Sequence, residues 1–211
     1  MGRRAPACLI LASASPRRRE ILASLGLEFH AVVPEVDEVT KGDPNYVVLE
    51  NARRKAATGL AAAPEGAVAL GVDTEVVLAG RTLGKAVDLS QARERLEALS
   101  GRTHSVLGGM VALGPKRVGS EPGERSGVAH SEVTFRRLDE PDLEAYLASG
   151  EWRDRAGAYA IQGLGSILVE RVEGDFSNVV GLPVRLLRKL LPEFFAPAGS
   201  SSSGAVSYLK P

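Results

Sequence analysis

The sequence predicts an α/β fold, a mixed sheet with flanking helices, and three observations carry that reading. Short apolar runs of strand character alternate with segments of helical period along most of the chain. Thr103 to Leu113 and Val128 to Leu138 are successive strand-like runs with no helical segment between them, which adds an antiparallel component. No internal repeat or change of composition marks a boundary, and 211 residues with 44% apolar content can bury a sizeable core. One domain is therefore expected over residues 1–195, with a disordered tail rich in Gly, Ser and Pro over residues 196–211.

The first element is a strand, turn and helix start within Cys8 to Leu22. Cys8 to Leu11 suits a buried strand, Ser15 is a favourable N-cap, and Pro16 falls at the first helical position, with Gly26 as the stop. Arg17, Arg18 and Arg19 then occupy the first helical turn, where free N–H groups already present partial positive charge. Each cation there is unfavourable by roughly 0.3–1 kcal/mol, and an anion would reverse the sign. A phosphate could take backbone N–H groups, the Ser13 and Ser15 hydroxyls and one or two arginines. Three solvated arginines on a surface helix explain the same stretch equally well.

Glu28 to Val33 reads as a second strand, followed by Glu35, Asp37 and Glu38, which suit a solvated loop better than a metal site. Asp43-Pro44 caps a long helix running to about Ala62, with Val48, Ala52, Ala56 and Leu60 on its apolar side. Lys55 borders that side and can either snorkel to water or point into a cleft. Ala67 to Leu78 is a strand interrupted at its centre by Asp73-Thr74. A carboxylate between Val72 and Val76 is costly unless it reaches solvent or meets a cation, so Asp73 is read as functional rather than as a turn former. Lys85 lies on a loop beside Gly84, where a backbone can approach a ligand, although a surface lysine is the plain alternative.

Leu89 to Leu99 reads as a structural helix ended by Gly101, and Gly114 to Gly127 as a loop between the two antiparallel strands. Pro141 begins a short helix stopped by Gly150. Ala156 to Gly163 is a cluster of small residues around Gln162, whose amide offers a donor and an acceptor to a base edge; close backbone packing explains the small residues equally. Gly163-Leu-Gly165 precedes an apolar strand, Ile167 to Val172, where a dinucleotide loop would need a helix. Glu173 to Asn178 reads as a loop, and a final helix from about Pro183 is buried through Leu186, Leu187, Leu190, Leu191 and Phe194.

Lys and Arg total 26 and so do Asp and Glu, so no global basic field invites nucleic acid and any anion site must be local. The single cysteine, Cys8, cannot form an internal disulfide, and no stretch reaches transmembrane length; a cytoplasmic protein is expected, without membrane association.

Seven blocks then occur in a telling order: Ser13-Ala-Ser-Pro-Arg-Arg18, Ala52-Arg-Arg-Lys55-Ala, Gly71-Val-Asp-Thr74, Leu83-Gly-Lys85, Leu99-Ser-Gly-Arg-Thr-His-Ser105, Ala156-Gly-Ala-Tyr-Ala-Ile-Gln-Gly163 and Gly174-Asp-Phe-Ser-Asn-Val-Val-Gly-Leu-Pro183. Together they resemble the Maf family of nucleoside triphosphate pyrophosphatases. The resemblance implies a two-lobed fold with a central cleft, similar to inosine triphosphate pyrophosphatases, and hydrolysis between the α and β phosphates. Pro-Arg-Arg, Asp-Thr and Ile-Gln-Gly resemble the subgroup acting on dTTP and UTP, with modified pyrimidine nucleotides as further candidates. The other subgroup acts on 7-methyl-GTP and has Glu in place of Gln162.

What the resemblance implies for residues is as follows. Asp73 is the general base, a ligand of a divalent cation (Mg²⁺ or Mn²⁺), or both. Arg17, Thr74 and Gln162 tune the substrate, and Ser13, Ser15, Arg18, Lys55 and Lys85 bind it. Glu75 departs from the family pattern, where an apolar residue is usual, and either adds a carboxylate near the metal or faces outward. The expected partner is a nucleoside triphosphate, and a homodimer is admitted. A rival from another class is a non-enzymatic regulator of septum formation, which the neutral charge and the lack of an aromatic-basic stripe disfavour.

Overall fold

The structure, a computed structural model, describes residues 8–115 and 123–195. Its centre is a seven-stranded mixed sheet in which β2 (His30–Val32), β1 (Leu9–Ala12), β3 (Val68–Leu78), β5 (Thr103–Leu113), β6 (Glu124–Phe135) and β7 (Val169–Gly174) are neighbours in that order. The short β4 (Arg81–Thr82) pairs with the end of β3. β1 is parallel to both β2 and β3, and every pairing from β3 onward is antiparallel. The helices are α1 (Pro16–Ser24), α2 (Pro44–Ala61), α3 (Leu89–Leu99), α4 (Glu140–Ser149), α5 (Phe176–Val180) and α6 (Val184–Leu190).

Two apolar cores lie on opposite faces of one end of the sheet, and a third lies at the other end. Val68, Leu70 and Val72 pack with α1 and α6, while Ala67 and Ala69 pack beneath α2 through Ala52, Ala56 and Leu60. Val76 and Leu78, further along the same strand, join α3, α4, Phe135 and Tyr146. The change of core along β3 thus falls on Asp73, Thr74 and Glu75, and along β5 on Leu107 to Gly109. This is the two-lobed arrangement, and the polar residues of β3 stand at its seam.

α2 is pressed directly onto β3. A Cβ at Gly71 would lie 2.0 Å from the Ala52 carbonyl oxygen, so only glycine permits this approach. Asp43 caps α2 by accepting the N–H groups of Asn45 and Tyr46 at 3.0 and 3.2 Å. The closeness of helix and strand sets Asn51 and Lys55, four residues apart on one helical face, against Asp73.

The structure corrects several sequence boundaries. β6 begins at Glu124 rather than Val128 and ends at Phe135, so the expected loop is shorter; residues 116–122 within it and the tail from Ala196 lie outside the described residues. Ile167 and Leu168 belong to a 3₁₀ helix, Gly163–Leu168, and the strand follows it. An apolar run of this length does not separate a buried helical turn from a strand. Phe176–Val180 is helical where a loop was expected, because Asp175 caps it by accepting the Ser177 N–H at 2.9 Å. Ser15 stands at the N-cap of α1 but makes no side-chain cap bond; its own N–H donates to Ser13 Oγ at 3.2 Å.

Candidate active site

Asp73 is buried at the seam between the lobes and is held from α2 on both sides of its carboxylate. Lys55 Nζ lies 2.6 Å from Oδ1, and Asn51 Nδ2 donates to Oδ2 at 3.2 Å. Of the two outcomes the sequence left open, solvent or a cation, the carboxylate meets a cation. Lys55 also pairs with Glu38 at 2.6 Å, and the Glu38 side chain keeps 45% of its exposure against 10% for Asp73. Glu38 is therefore an exposed loop carboxylate, as charge patterning favoured, that also reaches the same ammonium from the rim. Asn51 further ties the loop down: its Nδ2 donates to the Val39 carbonyl and its Oδ1 accepts the Val39 N–H.

Successive side chains of a strand face opposite ways, so Glu75 shares the face of Asp73 while Thr74 points to the α1 side. Burial, together with the charges of Asp73 and Glu38, pushes the Glu75 carboxyl up to about 7 against the pull of Lys55 and Arg95. Its Oε2 is buried with no hydrogen-bond partner. Burial also acts on Glu38, but Lys55, Lys85 and Arg18 outweigh it and hold that carboxyl below its ordinary value.

On the other face, Arg18 is the hub. Nε donates to the Gly181 carbonyl at 2.9 Å, Nη1 to Ser13 Oγ at 3.1 Å and to the Val72 carbonyl at 2.9 Å, and Nη2 to Thr74 Oγ1 at 3.0 Å. Arg17 Nε donates to the Val180 carbonyl at 3.2 Å. Arg17 and Arg18 are thus answered by carbonyls at the end of α5, which offsets part of the cost anticipated from sequence, while Arg19 donates to the Ala14 carbonyl. Burial lowers the Arg18 guanidinium from its ordinary value, and Asp73 across the strand pulls it back up.

The sequence-selected residues accordingly fall into groups. Ser13, Arg18 and Thr74 form one hydrogen-bonded chain, and Lys55 and Asp73 form one buried pair. Arg17 and Gln162 line a different feature, an open cavity of about 210 Å³ bounded also by Glu20, Ile21, Ser24 and Val180; Asp73 does not line it. Lys85 is exposed, its backbone bridges to Ala156, and its charge is felt at Glu38. Ser15 is half-buried beside Ser13. Sequence reasoning missed Asn51, although its four-residue spacing from Lys55 already placed both on one helical face. It also missed the Val180 and Gly181 carbonyls, which as backbone groups carry no sequence signal.

Among the described residues, no group of three or more His, Cys, Asp or Glu side chains is arranged to hold a metal ion. The oxygens at the seam are nonetheless of the type a hard divalent cation takes, and the unpartnered Glu75 Oε2 is among them. Mg²⁺ commonly uses one or two protein carboxylates and completes its shell with substrate phosphate and water. Asp73 and Glu75 fit that lesser requirement.

The family model described as Maf-like protein matches residues 8–194. A dTTP/UTP pyrophosphatase of Moorella thermoacetica is 46% identical over 189 residues, covering 88% of this chain and 94% of the relative. One of Deinococcus radiodurans is 44% identical over 184 residues, covering 87% and 91%. Among solved structures, the Ham1 protein of Staphylococcus aureus matches with a TM-score of 0.39 at 16% identity, over 60% of this chain and 71% of that one.

Proposed function

Because this chain belongs to the Maf family, we propose that it hydrolyses dTTP and UTP to the nucleoside monophosphate and pyrophosphate. The observation that supports it best is the buried Lys55–Asp73 pair at the lobe seam, with Arg18 across the strand and the Arg17–Gln162 cavity nearby. Asp73 accepts the proton of the attacking water at a carboxylate oxygen, a role that needs a fixed acceptor in reach of water. Lys55 and Asn51 fix it. Lys85, and Lys55 once it faces a phosphate rather than Glu38, supply the local positive charge that a neutral chain needs around a triphosphate.

Mg²⁺ or Mn²⁺, when bound, would offset charge on the phosphate oxygens, and Asp73 and Glu75 are the residues that would hold it. Arg17, Thr74 and Gln162 are proposed to tune the substrate, Thr74 acting through the Arg18 network and the other two from the cavity they share. No helix of the described residues is long and apolar enough to cross a membrane. The proposed substrate, a nucleoside triphosphate, is the partner, and a cytoplasmic setting is proposed with it.

A panel of nucleoside triphosphates with identified products tests it. Release of pyrophosphate with UMP or dTMP is expected, dependent on divalent metal. Orthophosphate and a nucleoside diphosphate as first products, or a preference for 7-methyl-GTP, would overturn the reaction or the substrate class respectively.

A further inference from the structure

Gln162 stands just before the 3₁₀ helix Gly163–Leu168, with its side chain exposed. The segment that carries it is held from α4 and the residues following it. Glu151, just past the α4 cap residue Gly150, reaches over with both oxygens: Oε1 accepts the Leu164 N–H at 3.0 Å and Oε2 the Gly165 N–H at 3.1 Å. These N–H groups begin a helical turn and lack acceptors within it, so a carboxylate there makes two charge-assisted bonds. Gly163 has φ +69, and a Cβ on it would lie 2.6 Å from Glu151 Oε1, so the chain runs directly over the carboxylate. On the other side of Gln162, the Tyr146 hydroxyl accepts the Ala160 N–H at 2.9 Å. Glu151 is itself fixed, its N–H donating to Ser149 Oγ at 3.1 Å and its carbonyl accepting Arg155 Nε at 3.3 Å.

We propose that Glu151 is a positioning residue for base selection. By gripping Leu164 and Gly165 it sets where Gln162 presents its amide to the cavity shared with Arg17. The inference rests on the pyrimidine nucleotide reading above. It assigns Glu151 no contact with substrate. Its effect reaches the base only through Gln162.

The test compares kcat/KM for UTP and GTP in wild type, Glu151→Gln, Glu151→Ala, Gln162→Ala and the double variant Glu151→Ala with Gln162→Ala, with melting temperatures alongside. Glu151→Ala should lower the UTP-to-GTP ratio about five- to tenfold, chiefly through the KM for UTP. Glu151→Gln should lower it less, since its amide oxygen still accepts one N–H while its NH₂ opposes the other; this variant also serves if Glu151→Ala does not fold. In the Gln162→Ala background, Glu151→Ala should leave the ratio within about twofold. A merely structural role would lower the melting temperature and both rates together and keep the ratio. An unchanged ratio in both Glu151 variants, or an equal loss with and without Gln162, overturns the proposal. A wild type with no preference for UTP removes the substrate reading and this inference with it, and that outcome shows before any variant is made.

Discussion

Around Asp73 the side chains are locked by opposite charge, with Lys55 lying 2.6 Å from both Asp73 and Glu38, whereas the cavity that Arg17 and Gln162 line is open and Gln162 is exposed. On the Asp73 side the central pair is built in advance: Asp73 and Lys55 are buried against each other, with Glu75 Oε2 buried beside them and without a hydrogen-bond partner. On the cavity side Arg17 is held by the Val180 carbonyl, and the segment around Gln162 is held through its backbone by Tyr146 and Glu151. On the proposed reading, chemistry rests on the Asp73–Lys55 pair and selectivity on the Gln162 segment, so substitutions at these two places should report differently.

The largest effect is expected at Asp73. Asp73→Asn keeps an oxygen to accept from Lys55 and preserves the size of the side chain, so the fold should survive. An amide cannot take the water proton and is a poor ligand for a hard cation, so turnover should fall by about 10³-fold or more, for every base alike. The comparison breaks if kcat stays within about tenfold of wild type, or if the loss depends on the base.

Next comes Lys55→Met, which leaves Asp73 buried without its cation. Breaking a buried pair by removing one partner costs about 3–5 kcal/mol, which in a chain of this size lowers the melting temperature by roughly 10 °C. Gln162→Ala, on the exposed side, should move it by less than about 2 °C. Thermal unfolding of the two variants side by side sharpens the contrast; equal shifts would show that both sides carry stability in the same way.

Legibility from sequence divides along the same line. Asp73 stood out because a carboxylate inside an apolar strand is expensive, and the arginines of α1 stood out because cations oppose the field at a helix start. Each anomaly pointed to a partner without naming it. Lys55 could be placed on the border of its helix but not over the strand, since that depends on the approach permitted at Gly71. Glu38 could not be told from Glu35 and Asp37, because only the path of the loop selects which of them reaches Lys55. The carbonyls of Val180 and Gly181 and the grip of Glu151 on Leu164 and Gly165 are contacts with backbone, which any residue type can supply. The strand order was legible only as a class, for the same reason: apolar runs announce strands, and their pairing is set by distant turns.

The smallest of these effects, and the one that separates reading a base from merely lining a cavity, is expected from Gln162→Glu. Uracil and thymine offer carbonyl acceptors and one N–H donor, and an amide can answer both kinds, whereas a carboxylate only accepts. A mismatched acceptor pair that is dry in the complex costs roughly 1–3 kcal/mol, so kcat/KM for dTTP and UTP should drop about tenfold or more. The new carboxylate would also share the cavity with Arg17, whose guanidinium burial already lowers from its ordinary value. An ion pair formed there would compete with any nucleotide, and would reduce kcat/KM for purine and pyrimidine substrates equally. The ratio of UTP to 7-methyl-GTP turnover tells these apart: a fall in the ratio means that the amide at 162 meets the base, and a uniform fall means that the residue acts only by closing the cavity over Arg17.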